Sequence, residues 1–183
     1  LTAIVIVPSK VMAANVKGLP NPVNITAITG QQITGPVANW QVNQAGTTTH
    51  YFAGQIPGGD LIVFWGSSLQ NLQYVNVSNT TFQKIEGPAI GWSLQTQGGL
   101  VINRVAGQSP TGDLLLFSWS SLSNSWQVQN ISQITGQKIA GPVTRQHTRH
   151  GSIFEHIFVR SPNGDVLQFV GKFREGDVLI VDW

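Results

Sequence analysis

Cysteine is absent from the 183 residues, which removes disulfides, thiolate chemistry and cysteine-based metal sites together. The absence leaves the compartment open, since a chain without thiols folds alike in oxidising and reducing surroundings. Charge is nearly as scarce. Asp, Glu, Lys and Arg together make 10% of the chain, against the usual ~25%. The net charge is +2 and the basic residues are scattered, so no nucleic-acid partner is expected. No apolar run approaches the length of a membrane span. The opening Leu1-Thr2-Ala3-Ile4-Val5-Ile6-Val7 is apolar, but no basic region precedes it and Pro8 ends it. It reads as a strand, not a signal peptide. Leu1 in place of Met suits a processed form or a fragment.

What is present is an apolar share of 41%, enough to give a single domain a sizeable core. The surface must then be built from Gln, Asn, Ser, Thr and Gly. Such a surface suits a secreted or cell-surface β protein that faces sugars better than a cytosolic enzyme.

The chain repeats itself. Gly-Pro pairs begin at Gly35, Gly87 and Gly141, spaced by 52 and 54 residues. Gly-Asp pairs place Asp at 60, 113 and 165, spaced by 53 and 52. Two independent markers agreeing on one period define a repeat architecture. Residues 1–22 stand outside it as one strand and a Gly/Pro/Asn-rich connection, and the repeats run over 23–74, 75–127 and 128–183. Each unit carries four β signals separated by turn chemistry. They are Val23-Asn24-Ile25-Thr26 with its counterparts 74–78 and 126–132, the run from Gly-Pro to Trp40 or Trp92, an extended third strand, and the Gly-Asp strand. Gly176 to Trp183 adds a closing strand. No segment sustains a helical period, so the fold class is all-β, with about fourteen strands. Ile56-Pro57-Gly58-Gly59-Asp60, Ser109-Pro110-Thr111-Gly112-Asp113 and Ser161-Pro162-Asn163-Gly164-Asp165 read as hairpin tips. The Asp in each is expected to cap the amides of its own turn, not to bind a metal.

Two architectures use four-stranded repeats. One is a β-trefoil; the other is a β-propeller, in which each repeat is one sheet. Short meanders with Pro-x-Gly-Asp tips and aromatic strand ends favour the propeller. The framework of Gly-Pro to Trp, then Ser-Pro-x-Gly-Asp-Leu-Leu to Phe-x-Trp, then Trp-Gln-Val-x-Asn-Ile-Ser resembles a repeat of multi-blade bacterial proteins. It is similar in layout to the Photorhabdus-type seven-bladed propeller lectins, over about 160 of the 183 residues. The third repeat departs from that layout, with Gln146 for Trp and Val170-Gly171 for Phe-x-Trp. About three and a half such units cannot close a ring. The resemblance therefore implies a homodimer or larger homo-oligomer, or a longer protein.

Chemistry is sparse. No nucleophile elbow, Ser-x-x-Lys or phosphate loop occurs, and Glu86, Glu155, Glu175 and most Asp residues read as turn or terminal positions. No catalytic residue, cofactor or metal ligand is assigned. His147 and His150 read as a solvated loop, without His-Glu-x-x-His spacing. His50 and His156 read as matching positions, with Asn103 between them and Arg104 beside it. The sequons at Asn24, Asn76, Asn79 and Asn130 read as a polar strand face, not as glycosylation sites. The aromatics carry the strongest lead: Trp40, Trp92, Trp65, Trp119 and Trp126 recur by repeat position. Indole faces stack on the C–H faces of sugars, and neighbouring amides, His and Arg satisfy the hydroxyls. The expectation is a non-enzymatic, lectin-like protein with repeated sites between its units, multivalent by repetition, whose partners are glycans. Trp40 and Trp92 would be its platforms, and His50, Asn103, Arg104 and His156 its polar contacts. The alternatives are a structural or protein-interaction module and, last, a hydrolase.

Overall fold

A computed structural model describes residues 24–183 except 97, 98, 151, 175 and 176, with backbone alone at 147–150, 152–153, 173–174 and 177–182. The expected strand near the start lies outside the described residues. Three antiparallel four-stranded meanders follow one another. The first is β1 (Ala38–Gln44), β2 (Thr47–Gln55), β3 (Leu61–Gly66) and β4 (Gln73–Asn76). The middle sheet is β5 (Glu86–Gln95), β6 (Val101–Gln108), β7 (Leu114–Ser120) and β8 (Trp126–Asn130). The last is β9 (Thr144–His150), β10 (Ser152–Arg160), β11 (Val166–Arg174) and β12 (Asp177–Asp182). The fold is all-β, built from propeller-like four-stranded repeats. A trefoil would close its strands into one shared barrel, and here each meander keeps its own sheet.

The sheets pack face to face because alternate residues on β3 and β7 point to opposite sides. Leu61 and Val63 meet Leu115 and Phe117 in one core, between the first and middle sheets. Leu114 and Leu116 meet Ile157, Val159 and Phe169 in a second core, between the middle and last sheets. The middle sheet is therefore apolar on both faces, and Leu114 to Phe117 is fully buried.

Three short helices were not expected: α1 (Ile25–Thr29), α2 (Val77–Thr81) and α3 (Ile131–Thr135). β-branched Val-Asn-Ile-Thr reads as strand, yet the Asn ends the extended run and caps a helical turn. Asn24, Asn76 and Asn130 each accept, through Oδ1, the amide of the residue three further on at 3.0 Å. The residues after the helices, Gly30, Phe82 and Gly136, are left-handed and close the turn back to position 26, 78 or 132. Three of the sequon asparagines are thus helix caps.

The repeated Asp differs from expectation as well. Ser109 Oγ accepts the Thr111 and Asp113 amides, and Ser161 Oγ accepts that of Asp165, so serine caps these hairpin tips. The Asp carboxylates reach instead to the Asn that ends their own sheet's fourth strand and to a Lys on the connection to the next sheet. Asp60 takes Asn76 Nδ2 at 2.9 Å and Lys84 at 3.1 Å. Asp113 takes Asn130 Nδ2 at 3.2 Å and Lys138 at 2.6 Å. Their pKa values lie below the usual carboxylate range. The Asn76 hydrogen bond is the main cause at Asp60, and the Lys138 hydrogen bond at Asp113.

A candidate ligand site between the first two sheets

Strand register decides which aromatics meet. Tyr51 pairs with Trp65 on the first sheet, whereas Asn103 pairs with Trp119 and Trp119 with Trp126 on the middle sheet. Measured from the repeat Asp, Trp65 is five residues on and Trp119 six. The two are thus not equivalent positions. That offset of one puts them on opposite faces of their own sheets, so they converge across the gap. A cavity of about 370 Å³ lies there, lined from the first sheet by Tyr51, Val63, Trp65, Gln73 and Val75. From the middle sheet it is lined by Asn103, Trp119, Asn124 and Trp126. It is a mostly apolar cleft with amide groups at its edge, and its volume falls in the range of small-ligand sites, about 300–1,000 Å³.

Asn103 anchors the floor. Its Oδ1 accepts Trp40 Nε1 at 3.1 Å and the hydroxyl of Ser93, and the residue also hydrogen-bonds Tyr51. Burial raises the Tyr51 phenol pKa, with the Asn103 hydrogen bond opposing it. Trp40 stacks on Tyr51 with centroids 5.4 Å apart and planes 7° from parallel. Its other side lies against Gly91, where an added Cβ would stand 2.0 Å from the ring. Trp40 is thus a wedge between sheets, with its indole N–H already engaged.

The joint between the middle and last sheets has the same plan and a different filling. Trp92 Nε1 donates to Glu155 Oε1 at 2.7 Å, in the role that Trp40 and Asn103 play in the first joint. Arg104 Nη1 donates to Glu155 Oε2 at 2.6 Å, with both side chains fully buried. The Arg145 guanidinium sits 4.9 Å over the Trp92 ring. Burial lowers the pKa of Arg104 and Arg145, and Glu155 opposes this in both. Trp92 and Arg104 therefore present no open face to a ligand. The ion-pair cluster fills this joint.

Of the residues singled out from the sequence, Trp65, Trp119, Trp126 and Asn103 come together in the cavity, and Trp40 backs it. His50 sits one strand position from Tyr51, and its register partner is Gly66. His156 pairs with Val170 and meets Gln168 Nε2 at 3.0 Å. The register aligns His156 with Tyr51 and Arg104, and His50 with Asn103 and Glu155, so the two histidines are not equivalent. His147 and His150 lie on strand β9, not in a loop. Glu155, read as a turn residue, lies inside β10. Tyr51, Gln73 and Asn124 went unnoticed. Alignment from the Gly-Asp marker would have set Tyr51 level with Arg104. Among the described residues, no group of three or more His, Asp or Glu could hold a metal ion, and no helix is long and apolar enough to cross a membrane.

No family model matches the chain, and no curated protein matches it in sequence. Among solved structures it resembles a fucose lectin from Kordia zhangzhouensis in complex with methyl-fucoside, with a TM-score of 0.57 at 14% identity. The match covers 80% of this chain and 97% of that one. At that identity the likeness is one of fold.

Proposed function

We propose that this protein is a non-enzymatic carbohydrate-binding protein whose site is the cleft between the first and middle sheets. The observation that carries this reading is the convergence of Trp65, Trp119 and Trp126 from two sheets onto one cavity rimmed by Gln73 and Asn124. Indole faces take the apolar side of a pyranose, and carboxamides supply both donors and acceptors for hydroxyls. The sparse charge of the cleft suits a neutral ligand. The likeness to a lectin that binds a methyl-fucoside supports the same reading and makes a deoxy sugar, with its methyl group, the first probe. The site is single among the described sheets, because Arg104, Glu155 and Arg145 fill the second joint. Multivalency then comes from assembling copies and not from three equivalent sites within one chain.

Titration with methyl fucoside, followed by tryptophan fluorescence, tests the proposal. Binding should shift the emission of the wild type saturably. Trp119→Ala should weaken the response at least tenfold, a loss of about 1.4 kcal/mol. A wild-type emission that no monosaccharide perturbs would overturn the reading.

A further inference from the structure

The two ends of the stack carry the unmatched halves of one joint. Inside the chain that joint occurs twice, with the same parts. The Asp of a hairpin tip takes Nδ2 of the Asn that ends its own sheet's fourth strand and caps the helix leading to the next sheet, at Asp60–Asn76 and Asp113–Asn130. The following N–H, of Leu61 or Leu114, donates to Ser78 or Ser132 Oγ at 2.9 and 2.8 Å. The tip carbonyl, Gly59 or Gly112, accepts the amide of Ile85 or Ile139 at 3.1 and 2.9 Å.

At the front of the first sheet, α1 supplies the receiving half again: Asn24, Thr26 and Ile33 hold the positions of Asn76, Ser78 and Ile85. Asn24 and Thr26 are exposed there, whereas Ser78 and Ser132 are buried. Ile33 packs onto the first sheet at Gly54 as Ile85 packs onto the middle sheet at Gly107. An apolar cleft lined by Ile25, Ile33, Val37, Phe52 and Phe64 remains open in front of it. At the back of the last sheet, Gly164, Asp165 and Val166 supply the donating half. Among the described residues the Asp165 carboxylate is exposed and unpartnered, while Asp60 and Asp113 are latched. Val166 is 71% exposed where Leu61 and Leu114 are 0%. Val37 is 48% exposed where Ala89 is 8% and Val143 2%.

We propose that the last sheet of one copy docks on the first sheet of a second copy through this same joint, head to tail. Asp165 would receive Asn24 Nδ2 of the second copy, Thr26 Oγ1 would accept the Val166 N–H, and Gly164 would accept the Ile33 amide. Gln32 stands where Lys84 and Lys138 stand in the internal joints, so this contact replaces the ion pair with an amide. It is therefore the weakest of the three latches and less sensitive to salt. The interface is heterologous: it uses two different patches, and it closes only if the rotation per sheet returns the chain of copies to its start. The joint follows from the repeat geometry whatever ligand the cleft takes.

Light scattering on purified Val37→Arg and Val166→Arg, alone and mixed, tests it. Wild type should have a mass at least twice 19.8 kDa, and each variant alone should fall to 19.8 kDa with its far-ultraviolet circular dichroism unchanged. An equimolar mixture should regain a species of twice the monomer mass, because the sound front of one variant meets the sound back of the other. A monomeric wild type, as when residues 1–22 cover the front face themselves, would overturn the proposal. So would a variant that keeps the wild-type mass, or a mixture that stays monomeric.

Discussion

Asn103 and Glu155 hold the same place in successive sheets, each accepting the indole N–H of a Trp from the sheet before it. An amide there is neutral, needs no counter-charge, and leaves room beside it for a cleft. A carboxylate must be paired once buried, and it gathers Arg104 and, more distantly, Arg145. The guanidinium groups then occupy the space. Breaking such a pair takes the carboxylate from the fully buried Arg104 guanidinium, so Glu155→Gln should cost on the order of 3–5 kcal/mol. A urea transition with an unchanged slope and a lower midpoint would report it. The sequence hid this residue for a specific reason. Counting back from the repeat Asp sets Glu155 level with Asn103, but two nearby histidines invite an alignment shifted by one, and a slip of one residue exchanges the two faces of a strand. The same slip made Trp65 and Trp119 look equivalent, when they face each other across a cleft.

At the scale of the element, the hairpin tip and the helix that follows its sheet form one latch. Asn130 caps α3 through Oδ1 and holds Asp113 through Nδ2, so a single side chain fixes both the helix start and the tip. Asn130→Ala should cost about 1–2 kcal/mol, a cap's usual worth at the upper end because Asp113 loses a donor too. The latch also sets a pH dependence. Asp60 and Asp113 have pKa values depressed below the unfolded value of about 3.9. Their stabilisation is therefore complete above that value and is lost as pH falls through the folded pKa. Thermal melts from pH 6 down to pH 2 should show the midpoint falling below about pH 4, less steeply in an Asp60→Asn, Asp113→Asn double variant. The strands and tips of these units were legible because alternation and Pro-x-Gly-Asp chemistry act locally. The helices were not. Val, Ile and Thr favour extended backbone, and only the capping bond, made in three dimensions, shows where the strand stops.

At the scale of the whole molecule, the repeat period revealed the order of the sheets, and burial reveals what that order does. The middle sheet is covered on both faces, while Val37 beside the first sheet and Val166 on the last stay exposed. The aromatic cleft lies in one joint, and the ionic cluster seals the other. Divergence between copies of a repeat, visible in the sequence as the loss of Trp and Phe-x-Trp in the third unit, goes with a joint that holds an aromatic cavity and one that holds a buried ion pair, and under the proposed function the first is the binding joint. A glycan array probed with wild type, Trp119→Ala and Phe82→Gly tests this most directly. Phe82 is 88% exposed and lies outside the cleft, so it controls for general stickiness. Wild type and Phe82→Gly should bind the same restricted set of glycans, and Trp119→Ala, folded, should lose them. Equal binding by all three proteins, or none by the wild type, would contradict the account.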